Sequence, residues 1–131
     1  SSFSYDSVKN RVLVRGCPIG DILYDIRSKS SQVIPNFDAD APAEKVNYLI
    51  PGRDAILTQT NKLNQRRDDY VGLSMGVYDL QGNLLASTDL TNGEGTRVQY
   101  PSNVSCSQDM IAYTLANRDG AYIRIYSITE E

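Results

Sequence analysis

From Val71 to Tyr78 the chain alternates in a period of two: Val71, Leu73, Met75 and Val77 have one parity, Gly72, Ser74, Gly76 and Tyr78 the other. A helix would scatter these apolar residues around its axis, whereas a strand gathers them on one face. The run continues into Tyr78-Asp79-Leu80, turns at Gln81-Gly82-Asn83 and resumes as Leu84-Leu85-Ala86-Ser87-Thr88. Glycine and asparagine supply the backbone conformations a tight hairpin needs, so this segment commits the chain to antiparallel pairing.

The same signs recur elsewhere. Met110–Leu115 and Ala121–Ile128 flank Asn117-Arg118-Asp119-Gly120, whose Asp-Gly dipeptide predicts a second hairpin. In its last strand the alternation places Ala121, Ile123 and Ile125 toward the core and Tyr122, Arg124 and Tyr126 on the opposite face, where they either pack beside neighbouring strands or present aromatic rings outward. Arg11–Arg15, Gln32–Ile34 and Val46–Ile50 also read as strands, the last ended by Pro51-Gly52. Two stretches fit either period. Ile22, Leu23 and Ile26 have helical spacing, which leaves a short helix over 20–29 as an alternative to a strand, and 54–65 carries the same ambiguity. Residues 36–45 and 91–96, rich in Asp, Pro, Asn and Gly, read as loops. The expected architecture is one domain spanning 1–131, mostly β, an antiparallel sandwich of about seven or eight strands, with a small barrel as the alternative.

Charge and cysteine usage narrow the function. With 13 basic and 16 acidic residues the net charge is −3, too weak and mixed for a nucleic-acid binder. No apolar run approaches the roughly 20 residues of a membrane helix. Cys17 and Cys106 lack the histidines or further cysteines of a zinc site; a disulfide between them, worth about 4 to 5 kcal/mol by loop closure, is expected, with two inert buried thiols as the alternative. That bridge, with a first segment Ser1–Tyr5 that reads as a mature or trimmed end, gives a secreted, periplasmic or cell-surface location as the expectation.

Catalytic signals are sparse. The absence of histidine rules out Ser-His-Asp and Cys-His mechanisms, and no lysine has Ser-x-x-Lys spacing. The carboxylate pairs Asp38/Asp40 and Asp68/Asp69 are the raw material of glycoside hydrolysis, but adjacent strand residues diverge and a solvated turn explains them as well. Asp38, Asp40, Asp89, Asn92 and Glu94 are the candidate ligands for calcium, the one cofactor the loops suggest, although no EF-hand spacing joins them. Asn103-Val104-Ser105 fits the N-glycosylation pattern. Nine tyrosines against two phenylalanines and no tryptophan favour wet contact surfaces, and Tyr122, Arg124 and Tyr126 form the candidate binding strip.

From Tyr48 to Ile128 the order Tyr-x-Ile-Pro-Gly, Val-Tyr-Asp-x-x-Gly-Asn-Leu-Leu-Ala-Ser and Asp-Gly-Ala-Tyr-Ile-Arg-Ile resembles the bacterial pre-peptidase C-terminal type of β-sandwich. The resemblance implies a sandwich fold and transfers no functional residue. The sequence-based expectation is a non-catalytic exported recognition or adhesion module for a glycan, polymer or protein surface. A structural subunit of an extracellular, envelope or virion assembly, self-associating into a homo-oligomer, is the first alternative; a small carboxylate or lysine enzyme is the second.

Overall fold

The computed structural model of the protein describes residues 2–34, 43–63, 65–66, 70–89, 104–117 and 120–128. They form eleven strands in three antiparallel sheets, with no helix among the described residues. The N-terminal sheet is a meander of β1 (Ser2–Asp6), β2 (Arg11–Arg15), β3 (Asp21–Asp25) and β4 (Ser30–Ile34). The central sheet follows as β5 (Ala43–Leu49), β6 (Ala55–Leu63), β7 (Tyr70–Asp79) and β8 (Leu84–Asp89). In the C-terminal sheet β10 (Met110–Asn117) lies between β9 (Val104–Cys106) and β11 (Gly120–Ser127). The sheets are open, and no pairing among the described residues closes a barrel.

Both predicted hairpins form. Asp79 closes the β7–β8 turn: its carboxylate accepts the Gln81 and Asn83 amide hydrogens at 3.0 and 2.8 Å, and Gly82 takes φ 95°. The β10–β11 ladder runs from Met110 opposite Ser127 to Asn117 opposite Gly120. The helical alternative over 20–29 is not realised. Residues 21–25 are β3, pairing with β2 and β4, and the Asp25 carboxylate caps the following turn by accepting the Arg27 and Ser28 amide hydrogens. Lys29 enters the left-handed region at φ 56°, which a helix does not tolerate.

A sandwich of two sheets needs strands buried on one face only, and β6 departs from that. Ala55, Leu57 and Gln59 of one parity are buried, and so are Ile56 and Thr58 of the other. A strand covered on both faces lies between two layers. One core joins the central and C-terminal sheets through Ala55, Leu57, Met75, Ile111 and Tyr113. The other joins the central and N-terminal sheets through Leu13, Leu23, Ile34, Leu49 and Ile56. The sandwich therefore has three layers, with the central sheet as the shared wall.

One polar joint ties all three layers at the same end. Asp6, fully buried at the end of β1, accepts from the Val8 and Lys9 amides through one oxygen. Its other oxygen accepts from the Gly52 amide and from Arg11 at 3.1 Å each. Burial acts to raise the Asp6 carboxyl, but donors from Gly52, Lys9, Arg11 and Val8 outweigh it and hold the group below the ordinary aspartate value. Arg11 also donates to Asp54 at 2.7 Å and to the Arg53 carbonyl, while the Arg53 side chain donates to the Gln108 carbonyl in the β9–β10 turn. Gly52 fits this junction because it sits at φ 75° between Val8 and Gln108, where a Cβ would meet both at 3.3 to 3.4 Å.

Candidate functional site

Of the predicted binding strip on β11, Tyr126 faces otherwise than its alternation suggested. Ile123 and Ile125 are 74% and 64% exposed, while Tyr126 packs on the core beneath the C-terminal sheet. Its ring stacks parallel to that of buried Tyr113, centroids 6.0 Å apart. Such a ring pair adds about 0.5–1.5 kcal/mol beyond the area it buries. Arg124 lies opposite Tyr113 in the ladder and Tyr122 opposite Leu115. Tyr126 is thus committed to the core, and among the described residues Met110, Ile123 and Ile125 are the exposed large apolar side chains of this sheet.

Cys17 and Cys106 are free thiols, which corrects the expected disulfide. Cys17 lies in the β2–β3 turn of one outer layer, whereas Cys106 is on β9 in the other and packs against the core. Neighbouring sheets stand about 10 Å apart and a bridge tolerates no more than about 7 Å between Cα atoms, so the layering separates the pair. Burial pushes the Cys106 thiol up to about 11, which suppresses the reactive thiolate.

Of the calcium candidates, Asp38, Asp40, Asn92 and Glu94 lie outside the described residues, as do Asp68, Asp69 and the glycosylation candidate Asn103. Asp89 ends β8 opposite Ser74. No group of three or more metal-ligating side chains gathers among the described residues.

The feature that sequence reasoning missed is the outer face of the N-terminal sheet. Phe3 lies opposite Val14, Val14 opposite Ile22, and Ile22 opposite Val33, so one apolar row crosses all four strands. A second row runs Tyr5, Val12, Tyr24 and Ser31. Phe3 is 70%, Tyr5 53%, Val33 46% and Tyr24 37% exposed. The charged residues take the opposite parity. Asp6 and Arg11 are buried in the joint, Arg15 donates to the Asn47 carbonyl of the central sheet at 2.9 Å, and Asp21 accepts from the Asn47 amide at 2.9 Å. Thr58 donates to the Asn47 side-chain oxygen at 2.7 Å, completing a polar seam between the layers. Arg15 also lies over the Tyr48 ring, 5.3 Å from its centroid.

The sheet is therefore apolar on both faces: Leu13, Leu23 and Ile34 share the inner face with the Arg11–Asp6 ion pair, and the outer face holds no charged side chain. Its two ends differ as well. The turns at 7–10 and 26–29 carry Lys9, Arg27 and Lys29, while the turn at 16–20 holds no charge and exposes Ile19. Asn10 bridges the basic end to the face, its amide donating to the Tyr5 hydroxyl and accepting from Arg27. The signal was present in Arg11-Val12-Leu13-Val14-Arg15, where the two valines share a parity free of charge. No protein-family model, curated protein or solved structure matches the chain.

Proposed function

We propose that this domain is a non-catalytic recognition module that docks on a protein surface through the outer face of its N-terminal sheet. The uncharged outer face of that sheet carries the reading: apolar side chains exposed across it gain free energy when a partner covers them. The face also favours a protein over a glycan. Its rings alternate with Val12, Val14, Ile22 and Val33, and the Arg and Asp side chains a sugar would hydrogen-bond are turned inward. A second apolar patch at Met110, Ile123 and Ile125 supports the related reading of an assembly subunit, since a domain with docking faces on both outer layers contacts neighbours on two sides. Export is not part of the proposal, because the disulfide that motivated it is not formed.

The test is a photo-crosslinking amino acid at position 24 of the full chain in the cells that produce it, with one at Gln81 in the β7–β8 turn as control. A discrete protein adduct from position 24 alone supports the reading. Saturable glycan or polymer binding that survives Phe3→Ser with Tyr24→Ser, or equal labelling from both positions, overturns it.

A further inference from the structure

The outer face of the N-terminal sheet has the size, charge pattern and end-to-end asymmetry of a self-complementary contact. We infer that its partner is a second copy of this chain, the two sheets packing face to face about a two-fold axis that reverses the strand direction. This deepens the docking reading above and rests on it.

Size is the first argument. At about 200 Å² per aromatic side chain, the exposed fractions of Phe3, Tyr5 and Tyr24 amount to roughly 300 Å². Val33 and the half-buried Val12, Val14 and Ile22 bring the face to about 400–500 Å², the upper range of patches on ordinary monomers. Two such faces together remove about 800–1,000 Å² from water, at the edge of the size of a specific protein interface and in the range of a weak, reversible one. Exposed Ile19 at the rim adds to the area that pairing covers.

Charge is the second argument. The positions facing out, Phe3, Tyr5, Val12, Val14, Ile22, Tyr24, Ser31 and Val33, include no acidic or basic side chain, so a copy laid on them meets no like charge and buries no unpaired ion. The rim then fixes the orientation. With strands running the same way, Arg27 and Lys29 of both copies would crowd one end. With the direction reversed, each basic end lies over the uncharged Pro18-Ile19-Gly20 end of the other copy. Exposed Ile19 gains a cover in the same movement. Such a contact is isologous, so it closes at two copies.

Sedimentation velocity on the full chain from low micromolar to several hundred micromolar tests this. The expected result is a discrete monomer–dimer equilibrium. Phe3→Ser with Tyr24→Ser should raise the dissociation constant by about tenfold or more, and Ile123→Ser should leave it unchanged. Both altered side chains of the double variant are exposed, and an unchanged urea midpoint shows that loss of the dimer is not loss of the fold. Tyr24→Lys, which places two cations within the contact, serves as the second variant.

Growth beyond two copies that Ile123→Ser abolishes would overturn the inference in favour of head-to-tail stacking on the C-terminal sheet. A strict monomer whose position-24 crosslinker still captures a different protein would overturn the self-contact and leave the docking reading standing. A strict monomer with no specific adduct would end both.

Discussion

Replacing Asp6 with asparagine should be among the most damaging single changes available to this fold, although it alters almost no volume. One carboxylate oxygen accepts the Val8 and Lys9 amides and the other accepts Gly52 and Arg11, so all four partners are donors. An asparagine side chain has one acceptor oxygen. Whichever way the amide is turned, its NH2 faces two donors, and the neutral group no longer offsets the buried Arg11 guanidinium. Removing one partner of a buried pair costs about 3–5 kcal/mol. For a chain of this length that corresponds to a fall in Tm of about 10–18 °C. The matched control is Asp54→Asn. Asp54 bonds the same arginine at 2.7 Å, but its side chain is 65% exposed, so solvent screening should limit the loss to about 1 kcal/mol or less. Urea unfolding of the full chain, followed by circular dichroism, gives both values. A difference between the two variants under about 1 kcal/mol would refute the claim that the joint holds the layers together.

Further outcomes follow from the same geometry. The Asp6 carboxyl is held below its ordinary value of 3.8 in the folded chain, so its contribution is complete above that value and is lost as the pH falls through the folded one. Acid titration of stability should therefore show a limb below about pH 4 that flattens in Asp6→Asn. Leu57→Ala, at the centre of the core between the central and C-terminal sheets, should cost about 2–5 kcal/mol, whereas Ile123→Ser on the outer face should change stability by about 0.5 kcal/mol or less. Intact mass after denaturing alkylation without reduction should show two added groups, one per free thiol. In the native state Cys106 should react far more slowly than Cys17, because at pH 8 roughly one Cys106 thiol in a thousand is ionised.

What the sequence made legible was the set of local pairings. The β7–β8 hairpin follows from alternation ending at Gln81-Gly82-Asn83, and β2 has the bounds its Arg-Val-Leu-Val-Arg run suggested. These depend on residues close together in the chain, where period and turn chemistry act directly. The layering was less legible. The 54–65 segment fits either period, and the burial of Thr58 and Gln59 on opposite faces of one strand shows only once Asn47 and Asn61 appear as their buried partners. The calcium and glycosylation candidates lie largely in segments outside the described residues, and sequence reasoning there has only loop composition to work with.

The facing of β2 and β11 went against simple amphipathicity for a common reason. Parity divides a strand's residues into two sets but does not say which set looks inward; the neighbouring layer decides that. In β11 the competition was between Ile123 with Ile125 and Tyr126, and stacking on Tyr113 won the inside for the tyrosine. In β2 a charged parity won, because Arg11 finds Asp6 and Asp54, Arg15 finds the Asn47 carbonyl and Leu13 supplies the apolar contact between them. This leaves Ile123 and Ile125 of β11 largely in water and Val12 and Val14 of β2 half-buried on the outer face. An inward charge satisfied by several designed partners and an outward valine satisfied by none are two sides of one arrangement. The stability of the inner seam and the availability of the outer face then vary together: a substitution that turned Val12 and Val14 inward would dismantle the Arg11 joint, and the face persists because that joint does.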